Sequence, residues 1–271
     1  MLYFSKRGHV ILIAGYSVWK VLIICVGIFI GSFVDAVGGG GGLITLPSYI
    51  IAGLPVHMAL GTNKLSSCIG TSASTVRYIK NGYIDWVLAL PSIALALAGS
   101  YKGTTLQLHI DEKYLKYVLL PVLVVTAVIL IKKKSFPESA GDIARWKQML
   151  IVWAAAFVLG AYDGFYGPGC GMFLLIIFCR LAKLDLRTAA GNVKAVNLSS
   201  NLSAVITSLI AGKVIVQIGL ISAVFAVLGH YIGAGKMIKN GSKIVTPVIL
   251  TVLALLFIKI VLELFGIGLP G

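Results

Sequence analysis

Acidic residues are scarce in this chain. Its 271 residues hold 9 Asp and Glu against 23 Lys and Arg, and charged residues make up 12% of the total, about half the share usual in a soluble domain. So few charges cannot cover the surface of an ordinary water-soluble fold. Cysteine is also sparse. Cys25, Cys68, Cys170 and Cys179 all fall in apolar segments without metal-ligand spacing, which points to packing and to no metal or other cofactor. No G-x-x-x-x-G-K-[ST] phosphate loop is present, so the chain lacks that machinery for ATP hydrolysis. No G-x-S-x-G elbow is present either, which argues against a serine-type enzyme.

What the chain has in abundance is apolar length. It is 58% hydrophobic, and the long runs include 10–33, 114–131, 214–232 and 244–262, lengths that read as membrane-crossing helices. The expected class is an all-α polytopic protein of the cytoplasmic (cell) membrane, in contact with lipid. The net charge of +14 does not indicate nucleic acid, because the Lys and Arg cluster between apolar segments, as membrane topology requires. Lys6 and Arg7 precede an apolar run as in a signal peptide. No small-residue cleavage site follows, so the run reads as the first membrane helix.

The sequence repeats itself. At an offset of 129, Gly31, Gly38, Gly40 and Gly42 align with Gly160, Gly167, Gly169 and Gly171. At an offset of 130, Gly61, Lys64, Gly99 and Gly103 align with Gly191, Lys194, Gly229 and Gly233. The expectation is two homologous helical repeats, 1–131 and 148–271, joined by a basic linker over 132–147. Helices are expected at 12–34, 43–54, 62–80, 86–104 and 114–131, then at 149–163, 171–182, 189–211, 214–236 and 244–266.

The second element of each half spans about 18 Å at 1.5 Å per residue, short of a 30 Å hydrocarbon core. If it crosses, each half has five passages and the halves are inverted. If it re-enters, each has four and the halves are parallel, so the total is 8–10 segments. Positive charge favours inversion. Arg77 and Lys80, the linker lysines, Arg180, Lys183, Arg187, Lys236, Lys239 and Lys243 then fall on one side, although Lys6 and Arg7 fall on the other.

Five consecutive glycines, Gly38, Gly39, Gly40, Gly41 and Gly42, cannot be a comfortable helix interior, and Pro168 interrupts the second copy at Gly167, Gly169 and Gly171. Irregular backbone survives in a membrane only when buried in protein or lining a wet cavity. Matched breaks in two halves point to a transporter site, where glycines admit a ligand and fresh helix N-termini attract anions. A single break would serve close helix packing as well.

Lys64 and Lys194 each lie three residues after a glycine, at an expected helix start, where a cation opposes the dipole unless an anion intervenes. Snorkelling to the interface is the alternative. Thr62, Asn63, Asn192, Asn197 and Asn201 surround them as neutral donors for an oxyanion. Asp35 and Asp163 precede the breaks, and an intramembrane carboxylate is a candidate for carrying a coupling proton or for pairing with Lys64 or Lys194. His230, which aligns with Ser100, is a third coupling candidate.

"DAVGGGGGLITLP" (35–47), "ALGTNKLSSCIGTSASTVRYIKNGYIDW" (59–86) and "YDGFYGPGCGMF" (162–173) resemble the TauE/SafE family of bacterial membrane permeases. The resemblance takes in Asp35, Gly38–Gly42, Pro47, Gly61, Thr62, Asn63, Lys64, Asp163, Gly164, Gly167, Pro168, Gly169, Lys194, Asn197 and Asn201. It implies a duplicated transporter for sulfite, organosulfonates or related small anions. Members commonly have about eight spans, which favours the re-entrant alternative. The expected function is secondary-active anion transport by alternating access, driven by a proton or ion gradient, in a chain that is not an enzyme and that can form a homo-oligomer. A passive anion channel is the runner-up, and an intramembrane enzyme comes third.

Overall fold

The computed structural model describes residues 2–4, 11–111, 114, 141–245 and 247–248. The expected fifth helices (114–131 and 244–266) and most of the linker therefore lie almost wholly outside the described residues. Among the described residues there are eight helices: α1 (Val18–Gly38), α2 (Gly42–Ile51), α3 (Val56–Lys80), α4 (Trp86–His109), α5 (Arg145–Phe165), α6 (Cys170–Arg180), α7 (Leu186–Ile210) and α8 (Val216–Asn240). A small antiparallel sheet, β1 (Leu2–Phe4), β2 (Ile11–Ile13) and β3 (Tyr16–Ser17), precedes α1. The first helix therefore starts at Val18 and not near residue 12. Four helices, α1, α5, α7 and α8, are long and apolar enough to span a membrane. With 25 and 24 residues, α3 and α4 match them in length.

Local chemistry sets the boundaries. The side chain of Asp85 accepts from the N–H groups of Val87 (3.1 Å) and Leu88 (3.4 Å), capping α4, and Asp185 does the same for Arg187 and Thr188 at α7 (both 3.1 Å). At the end of α1, Gly39 takes a left-handed conformation (φ 71°), and its N–H bonds the Asp35 carbonyl, the usual glycine stop. Pro55 immediately precedes α3. The helix consequently begins six residues earlier than expected, and α7 begins three residues earlier.

Glycines decide which helices touch. A Cβ on Gly99 of α4 would stand 2.9 Å from Ala161 N of α5, and one on Gly103 would stand 2.8 Å from Phe165 N. Against α1, a Cβ on Gly229 of α8 would lie 2.9 Å from Phe33 N, and one on Gly233 would lie 2.8 Å from the Ala36 methyl. Only glycine allows such backbone approach. These contacts advance together along both chains, so α1 runs parallel to α8 and α4 runs parallel to α5. Contacts of α3 with α8 also advance together, from Thr62 with Ile215 N to Arg77 with the Tyr231 carbonyl. With α3 and α4 joined by a tight turn, α1, α3 and α8 point one way and α4, α5 and α7 the other. The first helices of the two halves, α1 and α5, are thus antiparallel.

The short helices run back along their predecessors. Ser48 of α2 lies beside Gly27 of α1, and Gly53 lies near the Lys20 ammonium. Gln148, at the start of α5, donates to the Ala182 carbonyl just past α6 (2.8 Å). Each short helix, with its flanking loop, returns the chain to the level where the preceding long helix began.

Among the described residues, two large clusters make up most of the buried core. One gathers α1, α2 and α3 with Ile218 and Ala226 of α8. The other is built mainly on α4, α5, α6 and α7. Accordingly α4 packs with α5 and α7, and α8 with α1 and α3. Directions and contacts also place the basic ends together: Arg77 and Lys80 of α3, Arg145 of α5, Lys183 after α6, Arg187 of α7 and Lys239 of α8.

Two outcomes are expected. Gly99→Val and Gly229→Val each destabilise the detergent-solubilised protein by about 1–3 kcal/mol through overpacking, read as a lower melting temperature. Cysteines introduced at Lys80, Lys183 and Lys239 react with an impermeant maleimide from one face of the membrane, and a cysteine at Lys213 reacts from the opposite face.

Candidate functional site

The two glycine breaks meet. Gly39 sits against the backbone of Gly171 and Met172, and a Cβ on Gly42 would lie 2.9 Å from Pro168 Cα. Left-handed φ angles at Gly39 (71°), Gly167 (98°) and Gly169 (84°) turn the chain there, and the Tyr162 hydroxyl holds the second break by donating to the Pro168 carbonyl (2.7 Å). Behind the breaks, α3 and α7 pack against each other at the centre. Their polar residues are buried, Thr62, Asn63, Ser66 and Thr71 on α3 and Asn192, Asn197, Ser200 and Asn201 on α7. Neighbouring helices cover the polar faces of these two helices.

Breaks and polar helices enclose a cavity of about 40 Å³. Gly41, Gly42, Gly167, Gly169 and Gly171 border it, so the first turns of α2 and α6 face it. The opening N–H groups of a helix have no intrahelical carbonyl to bond. Asp35, Asn63, Lys64, Asp163, Asn197, Asn201 and His230 also line the cavity, with Ser32, Thr45, Ser67, Thr71, Pro168 and Cys170. Ser32 and Thr45 carried no signal of their own in the sequence. They are a serine and a threonine in apolar runs, and only the folding of α2 back onto α1 brings them to the cavity. The Oδ1 atoms of Asn63 and Asn197 are buried without a hydrogen-bond partner.

Other candidates lie elsewhere. Gly38, Gly39 and Lys194 border a neighbouring hollow of about 10 Å³ on the far side of Asp35, and Gly40 borders neither hollow. Thr62 accepts from Ile215 N (3.0 Å) and so joins α3 to the loop before α8. Asn192 donates to the Thr188 carbonyl of its own helix (2.8 Å). A wider hollow of about 430 Å³ between α4 and α7 is apolar, and Tyr101, Ile206 and Ile210 on its walls are exposed on the outer surface of the bundle. It lacks the charged groups of the smaller cavity.

The lysines do not stand at helix starts. Because α3 begins at Val56 and α7 at Leu186, Lys64 and Lys194 lie two turns inside, and the N-terminal dipole does not govern them. Each ammonium instead meets a carboxylate at the end of the other half's first helix. Lys64 Nζ is 2.9 Å from Asp163 Oδ2, and Lys194 Nζ is 2.6 Å from Asp35 Oδ2. Lys194 also donates to the backbone carbonyl of Asp35 (2.6 Å), at a helix C-terminus where the dipole favours a cation. Lys64 donates to Asn201 Oδ1 (3.1 Å). The side chain of Asp163 receives the Ser200 hydroxyl (2.5 Å), and Asp35 has His230 Nε2 at 4.0 Å. Two ammonium groups thus face two carboxylates, and with His230 neutral the formal charge of the site is zero.

A family model described as sulfite exporter TauE/SafE matches residues 23–260. The chain is 30% identical over 235 residues to a probable membrane transporter protein, ORF9, of a Sinorhizobium species, covering 87% of this chain and 90% of that protein. It is also 30% identical over 240 residues to the probable membrane transporter protein YfcA of Escherichia coli K12, covering 88% of each. A probable membrane transporter protein of Haemophilus influenzae is 30% identical over 249 residues, covering 89% of this chain and 94% of the relative. No solved structure matches the chain.

Removing one member of a buried ion pair leaves an unpaired charge, at a cost of about 3–5 kcal/mol. Lys194→Ala and Asp35→Ala are each expected to lower stability by that order, and the double variant to lose less than either single change. Chemical unfolding in detergent, analysed as a double-mutant cycle, measures the difference.

Proposed function

We propose that this chain, which belongs to the TauE/SafE family, is a secondary-active carrier that moves a small oxyanion across the cytoplasmic membrane together with a proton. The observation that carries this reading is the formal charge of zero at the site. An anion entering a site where Lys64 and Lys194 are already matched by Asp163 and Asp35 would be repelled by the carboxylates as strongly as it is attracted by the ammonium groups. Neutralising one carboxylate with a proton releases an ammonium for the anion. Proton and anion then bind together, the condition for coupled transport.

Size supports a compact solute. A cavity of about 40 Å³ exceeds the roughly 10–15 Å³ that one water needs and falls far below the ~300–1,000 Å³ of drug-sized sites. Sulfite suits it better than a longer organosulfonate. The first turns of α2 and α6, with the amides of Asn63 and Asn197, supply neutral donors.

The reading includes an inverted duplication, in which α1–α4 and α5–α8 are copies related by an approximate two-fold axis. The antiparallel α1 and α5, the exchange of α4 and α8 and the crossed ion pairs favour it. The units that rock for alternating access are then not the two sequence halves. They are α1–α3 with α8, and α4–α7, with the α3–α7 contact between them carrying the site. The shared basic ends of the helices favour a cytoplasmic location for that face. A carrier needs no reactive nucleophile, and its gradient dependence separates it from a passive channel.

In proteoliposomes, radiolabelled sulfite is expected to accumulate against its gradient when a pH gradient is imposed, and Lys64→Ala combined with Lys194→Ala to abolish the uptake. Uptake that survives the double variant at the wild-type rate removes the anion site. Sulfite flux that follows only its own gradient, unchanged by a protonophore, turns the reading into a channel.

A further inference from the structure

The two carboxylates of the site stand at equivalent places in the repeat, yet their surroundings differ in a correlated way. Beside Asp163 stands Ser200, whose hydroxyl donates to Asp163 Oδ2 (2.5 Å). Position 200 aligns with Gly70, where a Cβ would come within 2.7 Å of His230 Cδ2. His230 aligns in turn with Ser100, whose hydroxyl donates to the Ser200 carbonyl (2.6 Å). One side of the site thus pairs Ser200 with Ser100, and the other pairs Gly70 with His230. The missing side chain at Gly70 is the space that the imidazole fills.

Both nitrogens of His230 have hydroxyl partners on α3. Ser74 Oγ donates its only proton to the Thr71 carbonyl (2.9 Å), so toward His230 Nδ1, at 3.2 Å, it acts as acceptor. In the tautomer that matches this arrangement Nδ1 carries the hydrogen and Nε2, the nitrogen nearer Asp35 Oδ2 (4.0 Å), is the acceptor, with the Thr71 hydroxyl at 3.5 Å. Two proton acceptors face each other across that gap. At Asp163 the corresponding neighbour is a donor, which favours the ionised carboxylate.

The other ionisable groups around His230 are accounted for. Lys194, from α7, is bound to Asp35, and Lys64, from α3, to Asp163. Tyr78, also from α3, gives its hydroxyl to the Ala36 carbonyl (3.4 Å). Arg77 donates to the Tyr231 carbonyl (2.9 Å) and lies over the Tyr231 ring. The Asp35 side chain is also the more accessible of the two carboxylates, 21% exposed against 9% for Asp163.

Resting on the carrier reading above, we propose that the Asp35–His230 pair takes up the coupling proton, while Asp163 stays ionised as the fixed partner of Lys64. One proton entering from water is shared between Nε2 and Oδ2 and cancels the charge of Asp35. Lys194 then loses its carboxylate bond but keeps its bond to the Asp35 backbone carbonyl, so an uncancelled positive charge stays behind Asp35 and draws the anion into the cavity. Loss of the proton on the opposite side restores the ion pair and expels the anion.

Infrared difference spectroscopy on the full chain in phospholipid vesicles without sulfite tests this apart from transport. One titration step in the carboxyl and imidazole bands is expected as the pH is lowered. Asp35→Asn should abolish the step, His230→Gln should move its midpoint by about one pH unit or more, and Asp163→Asn should retain it. Ser200→Ala, a smaller change for use if Asp163→Asn fails to fold, should also leave the step in place. A step that disappears in Asp163→Asn, a step that moves with Ser200→Ala but not with His230→Gln, or no step in the wild type overturns the proposal. In proteoliposomes, His230→Gln should lose proton-driven sulfite accumulation by about tenfold or more. If the wild type moves no sulfite at all, the carrier reading fails by itself, and the spectra still decide where the proton binds.

Discussion

Two lysine–aspartate pairs, crossed between the halves of the chain, are the constraint on which the rest of this structure depends. A charge taken from water into a bundle interior carries a desolvation penalty of several kcal/mol, which only a well-placed partner and further hydrogen bonds offset. Lys64 and Lys194 therefore fix what must surround them. Asp163 and Asp35 have to arrive from the opposite half, at 2.9 and 2.6 Å. Asn201 and the Asp35 backbone carbonyl take further ammonium hydrogens. The helices that bring these groups have to cross at one depth, so the ion pairs set the register of α1, α3, α5 and α7 at once.

The glycines make that crossing possible. Carboxylates at the ends of α1 and α5 reach lysines on α3 and α7 only because the breaks at Gly39 and Gly171 press backbone to backbone. Farther along, Gly99, Gly103, Gly229 and Gly233 let α4 and α8 lie tightly against helices of the other half. The result is that α8 packs with α1 and α3, and α4 with α5 and α7, with the polar α3–α7 contact between the two groups. A seam of hydrogen-bonding side chains can be remade in a second arrangement more readily than an interlocked apolar core, which suits it to motion between bodies.

Neutrality gives the site its logic. On the proposed carrier reading, an anion and the carboxylates compete for the same ammonium groups in a low-dielectric interior, and the occupancy of one depends on the protonation of the other. The asymmetry between Gly70 with His230 and Ser200 with Ser100 then breaks an otherwise symmetric arrangement. It gives one carboxylate a basic nitrogen and the other a hydroxyl donor.

Much of this was legible in the residues themselves. The scarcity of charge and the long apolar runs determined a membrane bundle, because hydrocarbon leaves the backbone few alternatives to helix. Five glycines from Gly38 to Gly42, and Pro168 between two glycines, determined where the helices must open, since neither pattern sustains a helix interior. The clustering of Arg and Lys determined which helix ends lie together. Tertiary structure alone decided the rest. Helix starts moved to Val56 and Leu186, which took Lys64 and Lys194 away from the N-terminal dipoles and toward carboxylates distant in sequence. Ser32 and Thr45 became cavity walls because α2 folds back on α1. Gly70 acquired meaning only beside His230. Partnership across the fold has no local sequence signature: it depends on direction and depth in three dimensions, whereas composition and periodicity record only what each segment does alone.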